Sequence, residues 1–324
     1  MSEVPAADVL VVGAGAWGTA LAIHAASSGR SVRLWARDPA RAAAIEAARE
    51  NPRLPGVRLP AAIRVAATMA AADLVLLAVP VAHLAATAAW LPDAPVLVCA
   101  KGFEVGTLRL PLETLAAIRP DLRAGVLTGP NFAGEIARGL PGASVVAATD
   151  AGLRREAMRL LSGGALRLYG NADAIGAQVG GAAKNVIAIA AGAAIGAGFG
   201  ENARAALVTR GLAEIARLAL ALGGRATTVA GLSGLGDLVL TCTGAASRNF
   251  ALGLALGRGA TPAQAMAGHS HAVEGAASAA PLLARAAAAG VEMPICEEVA
   301  GLLAGKAGPA EALRRLLSRT QTDE

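Results

Sequence analysis

The chain has 324 residues, 55% of them apolar and 16% charged, with a formal net charge of +5. That length allows two domains with cores of their own, and so apolar a composition excludes a disordered chain. The positive charge sits on dispersed arginines rather than in a run, and aromatic residues make up only 2%, too few for base-stacking platforms, so nothing supports nucleic-acid binding and the charge reads either as a solvated arginine-rich surface or as attraction for anionic small molecules.

The start, Met1-Ser2-Glu3-Val4-Pro5, places no basic region ahead of an apolar one, so no secretory signal is expected. The first half then alternates short apolar runs with helix-like stretches. The runs are residues 9–12, 32–35, 74–79, 96–99, 125–127 and 144–147. Continuous apolar runs bounded by turn residues suit strands of a parallel sheet covered on both faces. Helix-like stretches at 17–28, closed by Gly29, and at 39–49 lie between them. This rhythm predicts an α/β unit over residues 1–171 with an open, doubly wound, mainly parallel sheet.

After Asn171 the strand signals fade into Ala/Leu-rich segments at 175–195, 202–222, 248–256, 261–266, 278–289 and 295–303. Gly223-Gly224, Gly257-Arg258-Gly259 and Gly290 read as helix stops. Residues 172–324 are therefore expected to form an all-α domain. The uncharged run 186–199 has 14 residues, short of the about 20 that a membrane span needs, so a buried core helix is expected instead. Cys99, Cys242 and Cys296 are far apart and odd in number, which suggests no disulfide framework and a reducing cytoplasm. His269 and His271 stand two apart with no Cys or Glu cluster beside them, so no metal is expected. The alanine-rich helices leave room for a homodimer interface, which nothing in the sequence locates.

Gly13-Ala14-Gly15-Ala16-Trp17-Gly18 follows the first apolar run and opens a helix. In that context G-x-G-x-x-G reads as a dinucleotide site rather than a plain glycine turn. Gly13 allows the tight turn, Gly15 lets the backbone approach a pyrophosphate, Gly18 brings helix and strand together, and the helix N-terminus offers N–H groups to the phosphates. The second run ends at Trp35-Ala36-Arg37-Asp38. An arginine there favours the 2′-phosphate of NADP and an acidic residue the ribose hydroxyls of NAD. Arg37 comes first, and Asp38 is able to cap a helix starting at Pro39, so NADPH is expected, with NADH tolerated.

Lys184 is the only charged residue between Asp173 and Glu201. A charged lysine in an apolar helix is costly to bury; burial lowers its pKa and makes it a competent proton donor or acceptor. The plainer alternative is a lysine that reaches the surface or pairs with one carboxylate. Gly180 and Gly181, one turn earlier, leave room for a ligand or for helix packing.

With these residues on view, the chain resembles bacterial NAD(P)-dependent sn-glycerol-3-phosphate dehydrogenase nearly end to end. The resemblance is carried by Gly13 to Thr19, Lys101-Gly102-Phe103-Glu104, Leu127-Thr128-Gly129-Pro130-Asn131-Phe132-Ala133 and Gly181 to Ala191 around Lys184. It continues through Glu201-Asn202-Ala203-Arg204, Gly231-Leu232-Ser233-Gly234-Leu235-Gly236-Asp237-Leu238, Thr241-Cys242-Thr243, Ser247-Arg248-Asn249 and Val273-Glu274-Gly275. It implies a Rossmann domain followed by a helical domain of the 6-phosphogluconate dehydrogenase-like type. It implies reversible reduction of dihydroxyacetone phosphate to sn-glycerol 3-phosphate in the cytoplasm, for phospholipid synthesis, with Lys184 as acid/base. It implies substrate contacts from Lys101, Gly129, Asn131, Lys184, Asp237, Ser247, Arg248 and Asn249. Cofactor contacts are implied for Gly13, Gly15, Ala16, Trp17, Gly18, Arg37, Lys101, Ala133, Arg248 and Glu274. Two positions depart from the family: Ala16 and Asn131 stand where it often has serine, which removes one hydroxyl near the phosphates and changes the shape of one substrate contact. Read from the residues alone, Asp237 suits a helix cap, Ser247 an N-cap, and Asn202 and Arg204 packing or capping. A 3-hydroxyacid dehydrogenase of the 6-phosphogluconate dehydrogenase type is the nearest alternative activity, and Leu235-Gly236-Asp237-Leu238 with Ser247-Arg248-Asn249 argues against it. A catalytically silent dinucleotide-sensing module is the alternative of another class, and Lys184, Lys101 and Asp237 argue against that.

Overall fold

The computed structural model describes residues 6–244, 246–267 and 273–318. It divides into two compact units. The first comprises the chain up to Glu104 together with Arg109–Ala174, and the second Val105–Leu108 together with the chain from Ile175 onward.

The first unit is built on eight strands: β1 (Ala7–Val12), β2 (Val32–Trp35), β3 (Ile63–Ala66), β4 (Ala72–Leu77), β5 (Val96–Val98), β6 (Ala124–Thr128), β7 (Gly142–Ala147) and β8 (Leu166–Asn171). They form one sheet in the order β3-β2-β1-β4-β5-β6-β7-β8, parallel throughout except between β6 and β7. Helices α1 (Ala16–Ser27), α2 (Pro39–Ala48), α3 (Val81–Ala88), α4 (Pro111–Ile118), α5 (Ala133–Ala137) and α6 (Ala151–Leu161) connect the strands. The central strands are buried on both faces, which is why Val9 to Val12 and Leu74 to Leu77 are apolar at every position rather than at alternate ones. Chain order reverses at β1 and β4, the switch point where open α/β sheets bind ligands beyond the strand carboxyl ends.

Two of these strands, β3 and β8, were not expected from the sequence. Both are edge strands whose outward positions carry polar or small residues (Arg64; Arg167, Tyr169 and Gly170), so neither shows the apolar run of a central strand.

The second unit is helical: α7 (Ala174–Gly196), α8 (Gly200–Ala221), α9 (Ala226–Val229), a π-helical turn (Leu232–Gly236), α10 (Asp237–Cys242), α11 (Arg248–Gly257), α12 (Pro262–Ala267), α13 (Glu274–Ala288), α14 (Pro294–Leu303) and α15 (Pro309–Leu317). Helix α7 is long and apolar enough to cross a membrane, yet 89% of its most apolar window is buried inside the protein, which marks it as a core helix. It accepts α11 at backbone contact. A Cβ on Gly253 would lie 2.0 Å from the Ile189 carbonyl oxygen, and one on Gly192 would lie 2.1 Å from that of Phe250. The glycines inside these helices therefore trade helix propensity for close packing. Gly180 belongs to the same class: its Cα faces the Ser233 carbonyl, where a Cβ would come within 2.7 Å, so that face is closed to a ligand by the π-helical turn.

Glu214 of α8 is buried and accepts the N–H groups of Ile295 (2.7 Å) and Cys296 (3.4 Å) at the start of α14. Burial pushes its carboxyl above the ordinary range, against those two hydrogen bonds. A side chain of one helix thus satisfies the open N–H groups of another.

Candidate active site

In the first unit the candidate residues gather along one edge of the sheet. Strands β1, β2, β4, β5 and β6 are mutually parallel, so Gly13, Arg37, Lys101 and Gly129, which follow β1, β2, β5 and β6, all lie beyond strand carboxyl ends. The glycine motif fits a dinucleotide by exclusion of side chains. A Cβ on Gly13 would lie 2.6 Å from the Ala78 carbonyl oxygen and one on Gly18 only 2.0 Å from that of Gly13, whereas nothing lies within 4 Å of one on Gly15. Gly13 also has φ of 120°, which favours glycine. The first and third glycines therefore close the strand–helix turn, and the second leaves open space over the N-terminus of α1. Trp17 and Ala16 are half-buried against the core of this unit.

Asp38 is the N-cap of α2, accepting from the N–H groups of Ala40 (2.9 Å) and Arg41 (3.4 Å), with Pro39 at the first helical position. Its carboxylate is engaged by backbone, while Arg37 beside it is exposed.

Lys101 is half-buried and its Nζ donates to the Gly129 carbonyl at 3.5 Å. Asn131 Nδ2 donates to the Ala143 carbonyl (2.8 Å) and Ser144 Oγ (2.9 Å), and its Oδ1 is buried without a hydrogen-bond partner. Ala133 begins α5. Lys101, Gly129 and Asn131 thus form one group.

In the second unit the fold brings together Lys184 and Asp237, separated by 53 positions in sequence. They form a buried ion pair, with residue exposures of 7% and 1%. Lys184 Nζ also donates to Thr241 Oγ1 at 3.0 Å. Asp237 is the first residue of α10, with Gly236 as the N-cap, and the glycine-rich stretch before it is the π-helical turn, a geometry that recurs at functional sites. A carboxylate against the ammonium favours the charged lysine and opposes desolvation. The Cys242 thiol next to this pair is pushed up to about 12, chiefly by burial, and so stays neutral.

A second chain of hydrogen bonds runs from the same helix. Asn185 Nδ2 donates to Glu274 Oε2 (3.4 Å), Asn249 Nδ2 donates to Asn185 Oδ1 (2.8 Å), and Asn249 Oδ1 accepts the Gly275 N–H (2.9 Å). Three sequence-distant segments, α7, α11 and the start of α13, are thereby locked together, the last through the consecutive residues Glu274 and Gly275. Ser247 is the N-cap of α11, accepting from the Phe250 N–H at 3.3 Å, and Arg248 beside it is exposed. Arg204 pairs with Glu201 one turn earlier on α8.

Sequence reasoning assigned no role to Thr241 or Asn185. The signal for the first is its spacing, four residues after Asp237 and hence on the same helix face. The second adjoins Lys184. Among the described residues no cluster of three His, Cys, Asp or Glu side chains is placed to hold a metal, and His269 and His271 lie outside them.

The chain is similar to known proteins over both units. Residues 8–153 match the N-terminal domain of NAD-dependent glycerol-3-phosphate dehydrogenase and residues 173–314 its C-terminal domain. A glycerol-3-phosphate dehydrogenase (NAD(P)+) of Acidiphilium cryptum is 56% identical over 98% of both chains, and one of Methylibium petroleiphilum is 51% identical over 96% of both. The crystal structure of the glycerol-3-phosphate dehydrogenase of Coxiella burnetii superposes with a TM-score of 0.91 at 34% identity, covering 96% of this chain and 98% of that one. With the glycine cradle at the sheet edge and a buried lysine–carboxylate pair in a helical unit, this chain belongs to the NAD-dependent glycerol-3-phosphate dehydrogenase family.

Proposed function

We propose that this chain reduces dihydroxyacetone phosphate to sn-glycerol 3-phosphate, reversibly, with Lys184 as proton donor and acceptor. The observation that carries the reading is the Lys184–Asp237–Thr241 cluster, an ammonium held almost out of water by a carboxylate and a hydroxyl. Reduced nicotinamide, when bound, supplies the hydride to the carbonyl carbon. Lys184 delivers a proton from Nζ to the carbonyl oxygen as it becomes an alkoxide, and its charge stabilises that oxygen beforehand. Asp237 keeps the ammonium charged and aimed, and Thr241 removes one of its rotational choices. In the reverse direction the same nitrogen takes the hydroxyl proton.

In the helical unit, Arg248 and Ser247 at the N-terminus of the ten-residue helix α11, with Asn249 beside them, suit the phosphate of the substrate; in the first unit, Lys101, Gly129 and Asn131 are the candidates for substrate contact by the family resemblance. In the first unit, Gly13, Gly15, Ala16, Trp17 and Gly18 would hold the cofactor pyrophosphate, with Lys101 and Ala133 as further candidates; in the helical unit, Arg248 and Glu274 are the candidates for cofactor contact by the family resemblance. Arg37 is exposed and would take the 2′-phosphate of NADPH, because Asp38 beside it is committed to its helix cap; on this reading NADPH is the preferred cofactor. Three buried thiols suit a reducing cytoplasm, and a homodimer belongs to the same reading. The test is loss of NADPH absorbance on adding dihydroxyacetone phosphate to purified protein, with NADH in parallel. Faster oxidation of NADPH supports the assignment, and no oxidation of either by folded protein refutes it.

A further inference from the structure

The glycine turn is held by a side chain that lies far outside the motif. Asn51, in the loop between α2 and β3, is fully buried. Its Nδ2 donates to the Ala14 carbonyl (3.1 Å) and to Thr19 Oγ1 (2.6 Å), and its Oδ1 accepts from the Arg53 N–H (3.1 Å) and the Arg41 guanidinium (3.3 Å). These four bonds use two donors and two acceptor positions, the full capacity of an amide, and fix its orientation; reversed, its oxygen would oppose the Ala14 oxygen. Arg41 donates to that same Ala14 carbonyl. Thr19 extends the chain, its Oγ1 donating to the Gly15 carbonyl at 2.8 Å.

A trans peptide is planar, with its C=O and N–H directed opposite ways. Holding the Ala14 carbonyl towards Asn51 therefore turns the Gly15 N–H away from it, and holding the Gly15 carbonyl turns the Ala16 N–H likewise. Both N–H groups stand at the start of α1, where no intrahelical acceptor exists, and the space over Gly15 is open. Dipoles set in advance need no reorganisation when an anion arrives.

We propose that Asn51 and Arg41 are positioning residues: a bracket that aims the Gly15 and Ala16 N–H groups at the cofactor pyrophosphate and so sets affinity for NADPH and NADH alike. The proposal rests on reading the glycine motif as the dinucleotide site. It gives Arg41 a part distinct from that of Arg37, since a residue acting through the loop affects both cofactors equally.

The experiment is fluorescence titration of NADPH and NADH into wild type, Asn51→Asp and Arg41→Met, with steady-state kinetics and melting temperature on each. Asn51→Asp keeps the volume but sets a carboxylate oxygen against the Ala14 carbonyl. Both Kd values should rise by roughly 10- to 100-fold, from two lost hydrogen bonds plus that repulsion, with kcat at saturating cofactor and KM for dihydroxyacetone phosphate little changed. Arg41→Met removes two bonds, to the Ala14 carbonyl and to Asn51 Oδ1, at a half-buried position and should weaken both cofactors by about 3- to 10-fold. Folded Asn51→Asp with both Kd values unmoved, or a fall in kcat and substrate affinity instead, overturns the proposal. So does an Arg41→Met loss confined to NADPH. Should Asn51→Asp not fold, Arg41→Met decides. Wild type that binds neither dinucleotide refutes the underlying reading of the motif, a result distinct from variants that bind as wild type does.

Discussion

Breaking the Lys184–Asp237 pair from either side, and then removing it whole, separates its structural role from its chemical one. Both residues are almost inaccessible, at 7% and 1% exposure. Removing one partner of such a pair costs about 3–5 kcal/mol because the other charge is stranded. Thr241 at 3.0 Å still accepts from a stranded ammonium, so Asp237→Asn belongs at the lower end, about 3 kcal/mol. That lowers the melting temperature by roughly 6–12 °C for a unit of this size. Lys184→Met should cost a similar amount. The double variant strands no charge and should recover to within about 1 kcal/mol of wild type, since apolar or neutral replacements of whole buried pairs are often tolerated. Activity follows a different pattern: all three variants lose turnover, and the double does not regain it. Circular dichroism melts and NADPH oxidation on the same preparations read both patterns. A double variant whose destabilisation equals the sum of the singles would refute the pairing, and recovered turnover in it would refute the chemistry.

Other consequences follow from particular residues. His24 is buried with Nε2 against the Leu161 carbonyl at 2.8 Å, and burial depresses its pKa below 6.5. A base held neutral contributes stability that is complete above its unfolded pKa and is lost as pH falls below about 6.5; urea midpoints should drop from pH 8 to pH 5, and His24→Gln should flatten that slope. Arg37→Asp should erode the preference for NADPH in parallel rate measurements, and an unchanged ratio would assign the 2′-phosphate elsewhere. Gly253→Ala forces a methyl to 2.0 Å from the Ile189 oxygen, so α11 must shift from α7 at a cost of about 1–3 kcal/mol or more, visible as a lower melting temperature; a wild-type melt would show that the helices are not in backbone contact.

Much of this was legible in the residues themselves. The continuous apolar runs announced β1, β2, β4, β5, β6 and β7, and the glycine motif stood between a strand and a helix as expected. Lys184 drew notice as a lone charge in an apolar helix. Edge strands β3 and β8 were hidden because a strand covered on one side only carries Arg64, Arg167 and Tyr169, which periodicity reads as loop. Helix α13 starts at Glu274 rather than at residue 278, since its first turn carries no apolar stripe and no side chain caps it. Asp237 looked like a cap because glycines precede it, and only the fold reveals that Lys184, 53 positions away, is its partner. Asn51 gave no signal at all: a polar residue between a helix and a proline is ordinary in sequence, and its four hydrogen bonds exist only once the loop is folded under the glycine turn.

The central claim is that the Lys184 ammonium carries the proton. It is tested most directly by single-turnover reduction of dihydroxyacetone phosphate by Lys184→Ala with NADPH prebound, on protein shown to be folded. The account predicts a rate lower by roughly 100- to 10,000-fold, the range for losing a general acid, with cofactor Kd unchanged. A rate near that of wild type would contradict it and move the proton donor to another group.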